Sequence, residues 1–176
     1  LTIEEIRRLP STSRILFLEC QGNSQLEWRP PPTGADLPWR RKNVRGTHGL
    51  TSCNEWTGVP LSLLLREAGV QQGAAWILAE GADATGNERS IPLAKAMEDV
   101  LVAYGQNGEA MRPENGYPLR LLVPGVQGVS SVKWLRRLEV GDKPWNTREE
   151  ALHYIDLLPD GTHRQYSGVQ EVKSVI

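Results

Sequence analysis

The sequence predicts an α+β fold, and three observations carry that expectation. Apolar runs of strand length outnumber stretches with helical spacing, strands and helices follow no strict βαβ alternation, and neither an internal repeat nor a low-complexity segment is present. At 176 residues, 39% of them hydrophobic, the chain can bury a sizeable core and is expected to form one domain over residues 1–176.

The chain opens on LTIEEIRRLP, where Thr2 stands as a helix N-cap with Glu5 three residues on, and Pro10 ends a short helix over 2–9. Residues 13–20 read as a buried strand, because ILFL is continuous rather than alternating, and Gly22 and Asn23 break it directly behind Cys20. Between Leu26 and Gly49 come Pro30 to Pro32, Gly34, Pro38 and a basic knot of Arg40, Arg41, Lys42 and Arg45, which predict a long surface loop. Trp28 and Trp39 argue against disorder there. VPLSLLLREA, 59–68, is the clearest helix, with Pro60 in its first turn and Gly69 closing it. Residues 75–80 read as a strand running into the turn GADATGN, 91–97 as a short helix and 100–104 as a strand ending in a turn at 106–108. Further strands are expected over 119–123 and 132–140, and in the tail Pro159, Asp160 and Gly161 form a turn between extended stretches.

A net charge of −1 supplies no long-range field of the kind that gathers nucleic acid or an anionic membrane surface. No apolar run reaches the roughly 18 residues of a membrane helix, so neither a nucleic acid nor a membrane is expected as partner. The chain starts at Leu1, directly in a helix-start pattern, and reads as a piece of a longer protein. Cys20 and Cys53 are too far apart for a CxxC motif, and two cysteines leave the compartment open. The histidines at 48, 153 and 163 lack zinc spacing, and no GxSxG, Walker or GxGxxG signature follows a strand.

Residues alone leave each chemical candidate with two readings. Cys20 is either a small buried hydrophobe or, with a turn immediately behind it, a sulfur at a strand's mouth where backbone amides favour the thiolate, the form that binds a metal or attacks. A soft ligand of that kind suits a soft or high-valent metal. Cys53 is expected to be packing. Arg120 and Lys133 bracket LLVPGVQGVSSV and are either solvated cations at strand ends or an anion cradle beside a Gly- and Ser-rich loop. Tyr154 on its own is a half-buried aromatic.

Taken in order, these pieces resemble the molybdenum cofactor domain of the sulfite oxidase family. ECQGN is similar to the family's cysteine-x-glycine-asparagine motif, EWTGVPLSLLLREAGV to its tryptophan-x-glycine helix, EGAD and SIPLAKAM to its central segment, and NGYPLRLLVPGVQGVSSVKWL to its most diagnostic run. HGLTSCNEWTGV, YIDLLPDG and the terminal EVKSVI look closer to the sulfane dehydrogenase catalytic subunit of bacterial thiosulfate-oxidising systems than to vertebrate sulfite oxidases. The resemblance implies a sulfite oxidase-type fold of mixed sheets and short helices, and a molybdenum-molybdopterin cofactor. It also implies a preceding stretch and a following immunoglobulin-like dimerisation domain outside these residues, hence an oligomer in the full-length protein.

By the same resemblance, Cys20 matches the thiolate ligand to the metal and Tyr154 the active-site tyrosine. Asp83 matches an acid that contacts the pterin, Arg120 the arginine at the cofactor phosphate, and Ser131, Val132 and Lys133 the loop that closes on it. Two positions depart from the pattern. Sulfite-oxidising members often carry arginine where this chain has Gln25, and vertebrate members carry histidine where it has Asn115, which can meet the cofactor by neutral hydrogen bonds only. Losing a cation at the substrate mouth weakens the case for a small dianion, since a buried oxyanion needs a charge partner. The implied activity is therefore oxidation of a sulfur substrate, preferably sulfane sulfur on a carrier protein, with electrons passed to a c-type cytochrome in a bacterial periplasm. The alternatives are a dehydrogenase acting on free sulfite and a non-catalytic binding module that keeps the fold.

Overall fold

The computed structural model describes residues 1–23, 44, 48–166, 168–170 and 172; most of the loop expected over 26–49, with both its tryptophans, lies outside them. The first helix, α1 (Ile3–Arg7), forms as its cap predicts. The Thr2 hydroxyl accepts from the Glu5 amide at 3.2 Å, and the Glu5 carboxylate accepts from the Thr2 amide at 2.7 Å.

β1 (Thr12–Glu19) pairs antiparallel with β2 (Thr51–Pro60), bringing Glu19 opposite Thr51. β2 then pairs with β5 (Leu101–Gln106), and β5 also carries β6 (Glu109–Ala110) and β7 (Arg120–Leu122), giving a five-stranded sheet. A second sheet runs β4 (Glu88–Pro92), β3 (Trp76–Gly81), β8 (Leu135–Gly141), also antiparallel. In the tail, β9 (Asp156–Leu157) and β10 (His163–Arg164) flank the expected turn, with the Gly161 amide on the Leu158 carbonyl at 3.0 Å. Strands thus dominate, with four short helices among the described residues, and the α+β expectation holds.

Two helices start directly behind strand-ending prolines. α2 (Leu61–Ala68) follows Pro60 and α3 (Leu93–Glu98) follows Pro92, both with φ near the value a helix needs and extended ψ. Residues 59–60 and 91–92, expected as helix, therefore belong to β2 and β4; a proline preceding a helix has no N–H to give, but its carbonyl can still accept in a ladder.

The apolar runs of β5 and β7 are continuous because both faces of the sheet are covered. Val102 and Leu121 point into a core shared with Leu61, Ile77, Ile91 and Val132, while Leu101 and Leu122 point to the other side against Leu18, Trp56 and Met111. Each fully buried aliphatic side chain contributes about 1.5–3 kcal/mol. β1 does not share this burial. It ends the sheet, and its outer face leaves Ile15 74% and Phe17 46% exposed, so the continuous ILFL run belongs to an edge strand rather than a buried one. Cys53 faces the same way opposite Phe17 and is exposed, not packing. No helix among the described residues is long and apolar enough to cross a membrane.

One ionic knot fixes the second sheet. Buried Glu80 on β3 accepts from Arg136 Nη2 and, at 2.7 Å, from Arg137 Nε across to β8. The Arg137 hydrogen bond, then the two guanidinium charges, hold its carboxyl below the ordinary 4.5. A lowered folded value means this contribution is present above pH 4.5 and is lost as pH falls through the folded value. Glu80→Gln is expected to lower stability at neutral pH and to flatten the acid limb of thermal unfolding followed between pH 6 and 3.

Candidate active site

The site is built outward from Cys20, the residue at which β1 stops. Its backbone is fixed on both sides: the amide donates to Leu50 O at 3.0 Å, and the carbonyl accepts from Asn23 N at 2.9 Å. Buried Asn23 closes the turn, donating through Nδ2 to Glu19 at 2.7 Å and accepting from Leu50 N at 3.1 Å. With the main chain so held, the side chain is exposed and not a core hydrophobe. The Gly22 amide donates toward its sulfur at 3.4 Å. Cys20 opens on a cleft of about 370 Å³ whose described walls are largely carboxamides, Gln21, Asn23, Gln127 and Gln170, with Glu19, Val169 and Val172.

One loop, 124–134, connects this cleft to the second half of the site. At its near end Gly128 packs on Glu19 so closely that a Cβ there would stand 2.9 Å from the Glu19 carbonyl oxygen. Gly128→Ala is therefore expected to push the loop off β1, costing about 1–3 kcal/mol and cofactor content together, as thermal unfolding and metal analysis would show. In its middle, the Ser131 hydroxyl accepts from the buried Val123 amide at 3.1 Å, and fully buried Val132 holds Leu121 N on its carbonyl at 2.8 Å. Ser131 and Val132 thus brace the loop, and Lys133 is the residue in it that offers a charged side chain.

At the far end the cations converge on the short 113–115 turn. Lys133 Nζ donates to the Glu114 carbonyl at 3.0 Å and lies 4.3 Å from the Trp134 ring. Arg120 Nη1 donates to the Asn115 carbonyl at 3.2 Å, and its guanidinium sits 5.2 Å from the Trp56 ring. Gly116, at φ 113°, fits between them: a Cβ would meet Lys133 Cβ at 3.1 Å and Arg120 Cβ at 3.3 Å. The Asn115 amide donates to Gln106 Oε1 at 2.7 Å. Trp134, at φ 52°, is clamped by its indole N–H on Pro113 O at 2.8 Å and by Ala82 N on its own carbonyl. That last bond brings the Asp83 turn alongside, where the Asp83 carboxylate accepts from Asn87 N at 2.8 Å and the Thr85 hydroxyl at 3.3 Å.

Arg120 decides the electrostatics. Burial pulls its guanidinium down from the ordinary arginine range to about 10, and no ion pair among the described residues compensates it. A desolvated cation held by a carbonyl and an indole face is not a solvated strand-end cation, and it has charge to spare for an anion such as a cofactor phosphate. The exposed Cys20 sulfur likewise fits a soft metal.

Tyr154 enters from the other side. It caps α4 (Arg148–His153), and Gln21 Nε2 donates to the neighbouring His153 carbonyl at 3.0 Å, so Tyr154 and the Cys20 turn lie together. The structure accordingly forms two groups, Cys20 with the end of α4 that carries Tyr154, and Arg120 with Asn115, Lys133 and the Asp83 turn, bridged by the 124–134 loop. Sequence reasoning missed Arg89, whose Cζ lies 4.3 Å from the Tyr154 ring centroid, and Glu150, which ties α4 to β4 through Ser90. An arginine set against the apolar run SIPL is a signal for the first; the second depends on a contact 60 residues away in sequence and has none.

Comparison with known proteins gives a consistent picture. Residues 1–149 match the oxidoreductase molybdopterin binding domain family. The chain is 36% identical to mitochondrial sulfite oxidase of Drosophila melanogaster over 167 residues, 90% of this chain and 28% of that protein. It is 38% identical to the NADPH nitrate reductase of Pichia angusta over 143 residues, 78% of this chain and 16% of that one. The crystal structure of the sulfane dehydrogenase SoxCD from Paracoccus pantotrophus superposes with a TM-score of 0.87 at 46% identity, covering 100% of this chain and 43% of that one. The chain therefore spans less than half the length of each of these relatives.

Proposed function

The chain belongs to the oxidoreductase molybdopterin binding domain family, and on that premise we propose that residues 1–176 are the cofactor-binding domain of an enzyme that oxidises sulfane sulfur carried on a partner protein. The observation that carries this reading is the exposed Cys20 sulfur at the mouth of a cleft, backed by an immobilised turn.

Molybdenum held by a pterin would supply two-electron redox chemistry at sulfur. Everything else falls to the chain. Cys20 ligates the metal, its thiolate presented by the 20–23 turn and its backbone locked to Leu50. Arg120 and Lys133 hold the cofactor phosphate, Arg120 recovering by that pairing the free energy its burial costs. Asn115 adds neutral hydrogen bonds, Asp83 contacts the pterin, and Ser131 and Val132 keep the loop closed against β7. Tyr154 orients substrate beside Cys20.

Two features support a carrier-bound substrate over free sulfite. The described cleft walls offer carboxamides and valines, which suit a peptide arm, and Gln25 stands where sulfite-oxidising members often place a cation. The 46% identity to a sulfane dehydrogenase across the whole chain points the same way. The electron acceptor in this reading is a c-type cytochrome, the setting a bacterial periplasm and the full-length protein an oligomer. Sulfite is the second reading, favoured by the 36% identity to a sulfite oxidase.

Steady-state assays of the full-length protein with cytochrome c as acceptor separate the two. A persulfidated carrier protein is expected to exceed sulfite in kcat/KM by at least about tenfold, a difference of ~1.4 kcal/mol in transition-state binding. Faster turnover of free sulfite would reverse the assignment. Absence of stoichiometric molybdenum would leave only a binding module.

A further inference from the structure

Resting on the placement of Tyr154 in the active site, we propose that Arg89 is its positioning residue, a buried guanidinium on β4 that fixes the tyrosine ring and so aims its hydroxyl.

Arginine is rarely this buried: the residue is 4% exposed. Its Nη1 donates to the Glu88 carbonyl at 2.6 Å, and its Nε, equally buried, has no hydrogen-bond partner. No ion pair among the described residues neutralises it. The neighbouring carboxylate of Glu150 is already engaged by the Ser90 amide and hydroxyl and by the Thr147 amide and hydroxyl. The cation meets Tyr154 instead: its Cζ lies 4.3 Å from the ring centroid. Burial lowers the Arg89 pKa, and Tyr154 is the first among the groups that oppose that fall.

A helix needs no such residue to dock, since an apolar side chain of similar volume would hold it at lower cost. α4 is in any case anchored at its start by Ser90 on Glu150, and its last turn closes with the Tyr154 amide on the Glu150 carbonyl at 2.9 Å. Arg89 also feels the carboxylate charges of Glu150 and Glu149 on α4, and its contact with the Tyr154 ring is the one that bears on the tyrosine side chain itself. From there the path to the metal ligand is short, His153 carbonyl to Gln21 side chain to the Cys20 turn. Displacing a reacting group by about 1 Å can cost on the order of 100-fold in rate.

The test uses Arg89→Met and Arg89→Lys in full-length holoenzyme, each alone and combined with Tyr154→Phe. Arg89→Met is expected to lower kcat by about 10–100-fold with KM within about threefold, and to have less than a threefold effect once the Tyr154 hydroxyl is gone. In protein carrying 13C-labelled tyrosine, the resonance that disappears in Tyr154→Phe should shift in the Arg89 variants while the others hold. Arg89→Lys, which keeps charge and solubility but loses the planar fork, carries both readouts if the methionine variant does not fold. Kcat losses that simply add, or a Tyr154 resonance that does not move, overturn the proposal. If the protein holds no molybdenum the functional reading fails, and the labelled-tyrosine spectrum alone still decides the role of Arg89.

Discussion

Replacing Cys20 by serine is expected to abolish turnover of the full-length protein by on the order of 10³-fold, equivalent to ~4 kcal/mol of barrier, while leaving the fold intact. The separation of those two effects follows from how the residue is held. The bonds that organise the 20–23 turn run through its backbone, to Leu50 and from Asn23, and serine preserves both. The sulfur itself is exposed, so its removal opens no cavity. What serine cannot reproduce is a soft, readily ionised donor, because its hydroxyl stays protonated at neutral pH and is a harder ligand. Thermal unfolding should therefore match wild type within a degree or two, while X-ray absorption at the molybdenum edge should lose one sulfur scatterer. An unchanged sulfur count in active material would remove Cys20 from the metal and with it the proposed site.

Arg120→Met should move stability and cofactor binding in opposite directions. Both folded and unfolded chains carry this charge at neutral pH, but burial lowers the folded value to about 10. Below pH 10 the folded protein bears the full cost of a desolvated cation; above about 10, up to the ordinary arginine range, the unfolded chain binds the extra proton, so stability rises with pH there. Removing the charge in cofactor-free protein is expected to stabilise it by about 1–3 kcal/mol, less than the pKa shift alone suggests because the bond to Asn115 and the Trp56 contact are lost. With the cofactor phosphate as partner the sign reverses, and cofactor retention should weaken by about 2–5 kcal/mol. Calorimetry of the cofactor-free variant and molybdenum content after dialysis read the two halves. A destabilised cofactor-free variant that retains molybdenum would mean that Arg120 is structural.

Much of this architecture is legible in the chain, and the exceptions share a physical cause. α2 announces itself by Pro60 and Gly69, and β3, β5 and β7 by runs of Ile, Leu and Val that two buried faces demand. β2 is not legible, because TSCNEWTGVP is polar along the half that faces outward beside β1 and gains its place only by pairing on both edges. Reading β1 as buried fails for the complementary reason: composition cannot say which strand a sheet ends on. α4 is too short for periodicity to register and depends on the distant Ser90. The site shows the same division. Cys20, Arg120, Lys133 and Tyr154 stand out through motifs, whereas Arg89 is marked only by its place beside an apolar run, which cannot say which ring it touches, and Glu150 is not marked at all.

The loop that rests on Glu19 at one end and flanks Arg120 at the other works as a ruler. Because its inner residues are clamped at Val123 and Leu121, the span between the Cys20 turn and Arg120 is set by a fixed count of peptide units. One unit more would displace an end by up to about 3.8 Å, beyond the reach of any hydrogen bond, so length in this segment should tolerate less change than the identity of its outward side chains.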